Sequence, residues 1–137
     1  MRFFSKDLPD AIKRKLPPEE KKRLGSLALT LEELVERQEV RTERQLQNQI
    51  ADYLRLKGIP FIRSRMDRKT TVRVGVLDFN CCVPPHGKFI GLEVKLPGES
   101  PTEEQDKEIE AINRAGGMAV IVSCLHDVKQ VVDLFSQ

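Results

Sequence analysis

Three side chains within one short stretch could do chemistry together. The stretch runs from Gly75 to Lys95 and reads GVLDFNCCVPPHGKFIGLEVK. An apolar run carries one carboxylate, Asp78. A turn with two prolines and a glycine follows, and a second apolar run carries Glu93 and Lys95. Alternate residues of a strand share a face. Phe89, Gly91, Glu93 and Lys95 therefore form one face, and Ile90, Leu92 and Val94 the other. Two opposite charges on one face of a central strand are costly unless they meet water, a metal or each other. The plain alternative is a strand end dipping into solvent with an exposed ion pair, worth about 0–1 kcal/mol. Asp78 weighs against it, because a hairpin return brings that carboxylate close to Glu93. Two carboxylates in reach of each other repel, and a divalent cation relieves the repulsion. Oxygen ligands with open, hydrated positions suit Mg²⁺ or Mn²⁺.

The elements that must position these groups can be read from period and punctuation. Thr42 followed by Gln45 forms a capping box. Leu46, Ile50 and Leu54 then fall on one face of a helix running to Lys57, with Gly58 as its C-cap. Glu43 sits in the first turn of that helix, on the side of the apolar face. It points at something that wants a carboxylate, or it only complements the helix dipole. Ile59 to Met66 reads as a strand and Val72 to Asn80 as another, interrupted by Gly75; Pro84, Pro85 and Gly87 make the turn. Lys88 to Leu96 is the most strand-like run and fits a central strand. Ser100 and Glu103 form a further capping box, with Pro101 at the first helical position. The helix that follows reaches about Ala115 and turns Gln105, Ile109 and Ile112 inward. Met118 to Val122 is a short buried strand. Leu125, Val128, Val131, Val132 and Phe135 mark a closing helix. A helix crossing between two strands makes them parallel neighbours, so a mixed sheet flanked by helices is expected.

Upstream, residues 1–26 are basic and polar, with Pro9, Pro17 and Pro18 as breakers. They read as an arm, with a short helix from Pro18 to Leu24. Thr30 and Glu33 cap a short helix ending near Gln38. The domain boundary is placed at residues 41/42.

The 137 residues suffice for one domain with a modest core, at 39% hydrophobic and 32% charged. The net charge of +2 hides an uneven distribution. From Arg55 to Arg73 there are seven Lys/Arg against Asp67, and from Leu96 to Asn113 six acids against Lys107. A basic patch beside an acidic face suits a polyanionic partner on one side only, although two solvated faces would look the same. Three cysteines, two of them adjacent, make no disulfide framework. No apolar leader opens the sequence, so a reducing, cytoplasmic setting is expected. No stretch approaches the ~20 apolar residues of a membrane span. Cys81, Cys82, His86, Cys124 and His126 match no common zinc spacing, and buried or surface thiols are expected instead. One tyrosine and no tryptophan supply few stacking platforms for single strands.

An aspartate followed by Glu-x-Lys on the next strand resembles the PD-(D/E)XK nucleases. The likeness is closer to their VRR-NUC branch, the virus-type replication-repair nucleases. TERQLQNQIADYLRLKGIPFIRSR, RVGVLDFN, GKFIGLEVK and PTEEQDKEIEAINRAGGMAVIV carry it, from about Thr42 to Val132. The sequence departs from the family at Leu77, where proline commonly precedes the aspartate. The resemblance implies a restriction-endonuclease-like core over residues 42–137, a mixed four-stranded sheet flanked by helices. It also implies a Mg²⁺- or Mn²⁺-dependent endonuclease that hydrolyses DNA phosphodiester bonds in branched or Holliday-junction DNA, working as a homodimer. Flap, linear-end, restriction-type or RNA substrates remain open, as does a non-cutting nucleic-acid-binding module. By the same resemblance, Asp78, Glu93 and the backbone carbonyl of Val94 would hold the metal. Glu43 would bind a second metal or orient a water, Lys95 would position the attacking water or neutralise the phosphate, and Gln105 would tie the site together. Arg63, Arg65, Arg68, Lys69 and Arg73 would hold backbone phosphates.

Overall fold

The computed structural model describes residues 2–4, 15, 17–19, 28–64 and 74–137. The elements, in chain order, are β1 (Arg2–Phe4), β2 (Ala28–Thr30), α1 (Leu31–Glu36), α2 (Glu43–Leu56), β3 (Phe61–Arg63), β4 (Phe79–Val83), β5 (Lys88–Val94), α3 (Glu103–Arg114), β6 (Met118–Val122) and α4 (Leu125–Phe135). Four strands form one mixed sheet in the order β3-β4-β5-β6. The first two pairings are antiparallel and β5–β6 is parallel. The expected mixed sheet is therefore present, with β5 interior and α3 making the crossover. β1 and β2 pair separately as a small antiparallel ribbon that the sequence pattern does not announce.

Strand alternation divides the chain between two faces. Ile90, Leu92 and Val94 of β5 and Phe79, Cys81 and Val83 of β4 join the core against Leu46, Ile50 and Leu54 of α2 and Val128 and Val132 of α4. Val35 of α1 belongs to the same core. On the reverse face α3 packs without burying any residue completely. There Gly91 permits a close approach: a Cβ on it would lie 2.8 Å from Leu77 and 3.2 Å from Ile112. Leu77 is fully buried over that glycine. The adjacent cysteines of β4 point to opposite faces, Cys81 buried and Cys82 exposed. Burial alone pushes the Cys81 thiol up to about 12.

Two expectations need correction. The strand expected over Val72 to Asn80 is placed too early. Within the described residues, 74–75 form a turn, 76–78 are not strand, and β4 begins only at Phe79 and runs on to Val83. The cause lies at Gly75, which has φ +91 and sits against α3, where a Cβ would fall 2.7 Å from the Glu104 carbonyl oxygen. Extended backbone cannot continue through that contact. The second correction concerns α3. Its N-cap is Thr102, not Ser100. The Thr102 hydroxyl accepts from the Gln105 backbone N–H, and the Gln105 side chain accepts from the Thr102 N–H. The caps expected at Thr30 and Thr42 form as read. The arm over residues 1–26 and the segment 65–73 lie largely or wholly outside the described residues. Among the described residues, no helix is long and apolar enough to cross a membrane.

The core holds one orphan. Tyr53 is fully buried, and its hydroxyl has no hydrogen-bond partner among the described residues. Leaving such a group unsatisfied costs about 1–3 kcal/mol. Tyr53→Phe removes the oxygen and keeps the ring, so thermal or urea unfolding of this variant is expected to show a gain of about 1 kcal/mol. A loss of stability would reveal a partner for the hydroxyl.

Candidate active site

The pairing of β4 with β5 brings the carboxylates together. Phe79 faces Leu92 in the antiparallel register, so the next residue back, Asp78, meets Glu93. Each carboxylate is then fastened to the other's backbone. The Asp78 N–H donates to Glu93 Oε2 at 3.3 Å, and the Val94 N–H donates to Asp78 Oδ2 at 2.8 Å. The Asp78 carbonyl accepts from the Ser64 N–H at 2.8 Å, which ties the same residue to the end of β3.

Glu93 is 1% exposed and uses its other oxygen fully. Oε1 accepts from Gln105 Nε2 at 2.7 Å and lies 3.5 Å from Lys95 Nζ. Gln105 therefore does two jobs with one amide. Its oxygen closes the capping box of α3, and its nitrogen, fixed by that cap, reaches Glu93. Ser100 as the cap would not place Gln105 at the third helical position. Lys95 alternates onto the same face as Glu93, as the strand period requires, and its backbone N–H is held by the Val122 carbonyl at 3.0 Å.

Glu43 enters from the first turn of α2, just after the Thr42 cap. Its carboxyl is raised by burial and by a hydrogen bond with Glu99, with Asp78 adding repulsion and Lys95 opposing it. Glu99 is thus a fourth carboxyl at the site, and the sequence reading did not single it out. Asp78 is raised chiefly by burial, against the Val94 N–H and Lys95. Glu93 is pushed up to about 7 by burial and by the charge of Asp78, against Lys95.

These groups line a cleft of about 760 Å³ together with Arg44, Gln47, Asn48, Arg55, Arg63 and Ser64. Arg63 is the one expected phosphate-binding residue within the described segments. Its guanidinium donates to Asn48 at 2.9 Å and to Gln47 at 3.1 Å, and it lies over the Phe79 ring. Arg65, Arg68, Lys69 and Arg73 lie outside the described residues. Arg44 and Arg55 also line the cleft; the sequence reading counts Arg55 in the basic stretch but assigns a phosphate to neither. A helical wheel could have found them: Arg44, Asn48 and Arg55 are spaced by four and seven residues, one stripe of α2 opposite its apolar one.

The donor set fits a hard divalent cation. Two carboxylates are held side by side in a desolvated place, both raised by burial and Glu93 further by the charge of Asp78, with one lysine to offset them. Among the described residues, no three His, Cys, Asp or Glu side chains form a metal-holding group. Mg²⁺ commonly takes one or two protein carboxylates and completes its shell with water and substrate phosphate.

No protein-family model and no curated protein matches the chain. Among solved structures, the chain is similar to one described as a VRR_NUC domain, with a TM-score of 0.54 and 18% identity over 68% of this chain and 96% of that one. The expected restriction-endonuclease-like α/β core is therefore the fold of this chain.

A pH test of the site follows from Glu93. Its carboxyl titrates near 7 when folded, against an ordinary 4.5. Between those values the folded state binds the extra proton, so this group withdraws stability as pH rises through that window. In metal-free buffer, Glu93→Gln is expected to melt above the wild type at pH 8, with the difference closing toward pH 4.5. An equal difference at both pH values would contradict the buried, repelled carboxylate.

Proposed function

We propose that the chain is a divalent-cation-dependent nuclease that hydrolyses phosphodiester bonds in DNA. The observation that carries this reading is Glu93, buried beside Asp78 and fixed by Gln105 and Lys95 at the floor of an arginine-walled cleft. The VRR_NUC-like fold supports the same reaction class.

Asp78 and Glu93, with the Val94 carbonyl, would hold Mg²⁺ or Mn²⁺, and Glu43 would bind a further ion or orient water. The cation supplies Lewis acidity toward the phosphoryl oxygen and makes water a nucleophile at neutral pH. The protein's own groups do the rest. Lys95 Nζ, 3.5 Å from Glu93 Oε1, presents a positive charge where the phosphoryl oxygens gain negative charge. Glu43, raised by burial and by Glu99, would be able to take a proton from the attacking water. Gln105 keeps Glu93 from rotating, which holds both carboxylates in one geometry. Arg63, braced by Asn48 and Gln47, meets a backbone phosphate.

Selectivity for branched or Holliday-junction DNA, and action as a two-fold homodimer placing two sites on two strands, rest on the resemblance to VRR-NUC nucleases. An intracellular, cytoplasmic location accords with the absence of a disulfide framework.

Cleavage of a panel of four-way junction, flap, nicked, linear and single-stranded DNA in Mg²⁺, Mn²⁺ or EDTA tests the proposal. Cutting is expected with either metal and not in EDTA. Asp78→Asn and Lys95→Ala are expected to lower the rate by about 10²–10³-fold while circular dichroism shows the fold intact. Undiminished cutting by folded Asp78→Asn would overturn the mechanism. Binding without any cutting would favour a non-catalytic nucleic-acid-binding module.

A further inference from the structure

The cationic wall of the cleft is longer than the chemistry at its floor needs. Arg44, Arg55 and Arg63 all line the same cleft as Asp78 and Glu93. Arg63 lies at the carboxylate end, where Ser64 donates to the Asp78 carbonyl. Arg55 lies at the other end. Twelve residues separate it from Glu43 on α2, a distance of about 18 Å at a rise of ~1.5 Å per residue. Arg55 is not a loose surface cation. Its guanidinium lies 5.4 Å from the centroid of the Phe61 ring on β3 and 3.5 Å from Asp52, while its side chain stays 65% exposed. A cation braced by a ring and a carboxylate on one side, and open to the cleft on the other, is set to meet an anion there. Gln47 and Asn48 stand between the two ends and hold Arg63 in line. Among the described residues, the only α3 residue lining the cleft is Gln105, and the first turn of α3 that presents it also carries Glu103, Glu104 and Asp106.

We propose that α2 and β3 form a phosphate track leading away from the carboxylates, with Arg55 as its distal anchor. The inference rests on the nuclease reading for its direction and deepens it. One strand of the nucleic acid runs from the scissile phosphate along α2, and its phosphate about five nucleotides away, at ~3.4 Å per nucleotide of duplex, meets Arg55. The substrate must therefore extend on the α2 side. The acidic first turn of α3 gives it no comparable hold on that side, so a strand that ends or turns away just past the scissile phosphate is accommodated.

Two arms test this separately from the chemistry. In the cutting arm, linear duplexes carry a growing flank on one side of a fixed cleavage position, then on the other. Wild-type KM is expected to fall about three- to tenfold as one flank passes about five nucleotides, the gain of one charged contact. Arg55→Ala is expected to lack that step, and Lys107→Ala, on the exposed side of α3, to keep it. A step that persists in Arg55→Ala, or equal steps on both flanks, would overturn the track and leave the nuclease standing. In the binding arm, fluorescence anisotropy uses Asp78→Asn protein on the longest duplex over a range of salt. Adding Arg55→Ala is expected to reduce the slope of log K against log salt by about 0.9, one phosphate contact. An unchanged slope would overturn the track. A reduced slope, where the wild-type protein cuts none of the substrates, would keep the track and strike the nuclease reading.

Discussion

The site depends on one reciprocal arrangement across a strand pair. Asp78 gives its N–H to the Glu93 carboxylate, and Val94 gives its N–H to the Asp78 carboxylate. Each acid is thereby fixed by the backbone of the other's strand, and neither can be moved without shifting the β4–β5 register. Hydrogen bonding to the charged form favours ionisation, yet both carboxyls are raised, because burial outweighs it in each and the charge of Asp78 adds to it in Glu93. The fold thus holds two like charges together at a cost, and a cation is what would remove that cost. The rest of the structure serves this arrangement. Gly91 lets Leu77 seat deeply and aim the chain into Asp78, Gly75 turns the incoming segment against α3, and the cap of α3 delivers Gln105.

α2 shows how one short helix serves both core and site. Leu46, Ile50 and Leu54 anchor it in the core, which gives the cleft a rigid wall. Arg44, Asn48 and Arg55 from the opposite stripe, and Glu43 and Gln47 from beside the apolar one, all line the cleft. Side chains carried on a packed helix keep their spacing, so a substrate backbone can be read against them at fixed intervals. At 18% identity to the VRR_NUC domain, the shared fold is maintained by pattern and packing more than by residue identity.

Much of this was legible in the sequence wherever local pattern and tertiary fold agree. The period of two over Lys88 to Leu96 put Glu93 and Lys95 on one face, and the 3.6-residue period with the Thr42 cap fixed α2 and the entry of Glu43. The crossover from β5 to β6 followed from a helix lying between two apolar runs. What escaped the sequence was set by contacts distant along the chain. Strand character appeared to reach back to Val72, because nothing local says that Gly75 meets Glu104. Ser100 and Thr102 both make acceptable caps by composition, and the choice falls to Thr102 in a fold where Gln105 also reaches Glu93. Glu99 reads as one acid among six until Glu43 is seen beside it. Arg55 reads as one cation of a basic stretch, with no phosphate assigned to it, until Phe61 is placed beneath it.

The central claim is that the Asp78–Glu93 pair is a cation site rather than a buried structural contact. Electron paramagnetic resonance of free Mn²⁺, titrated with metal-free protein, tests it most directly. Wild-type protein is expected to withdraw Mn²⁺ from solution, and folded Glu93→Gln is expected to lose that uptake. Equal uptake by the two proteins would contradict the claim.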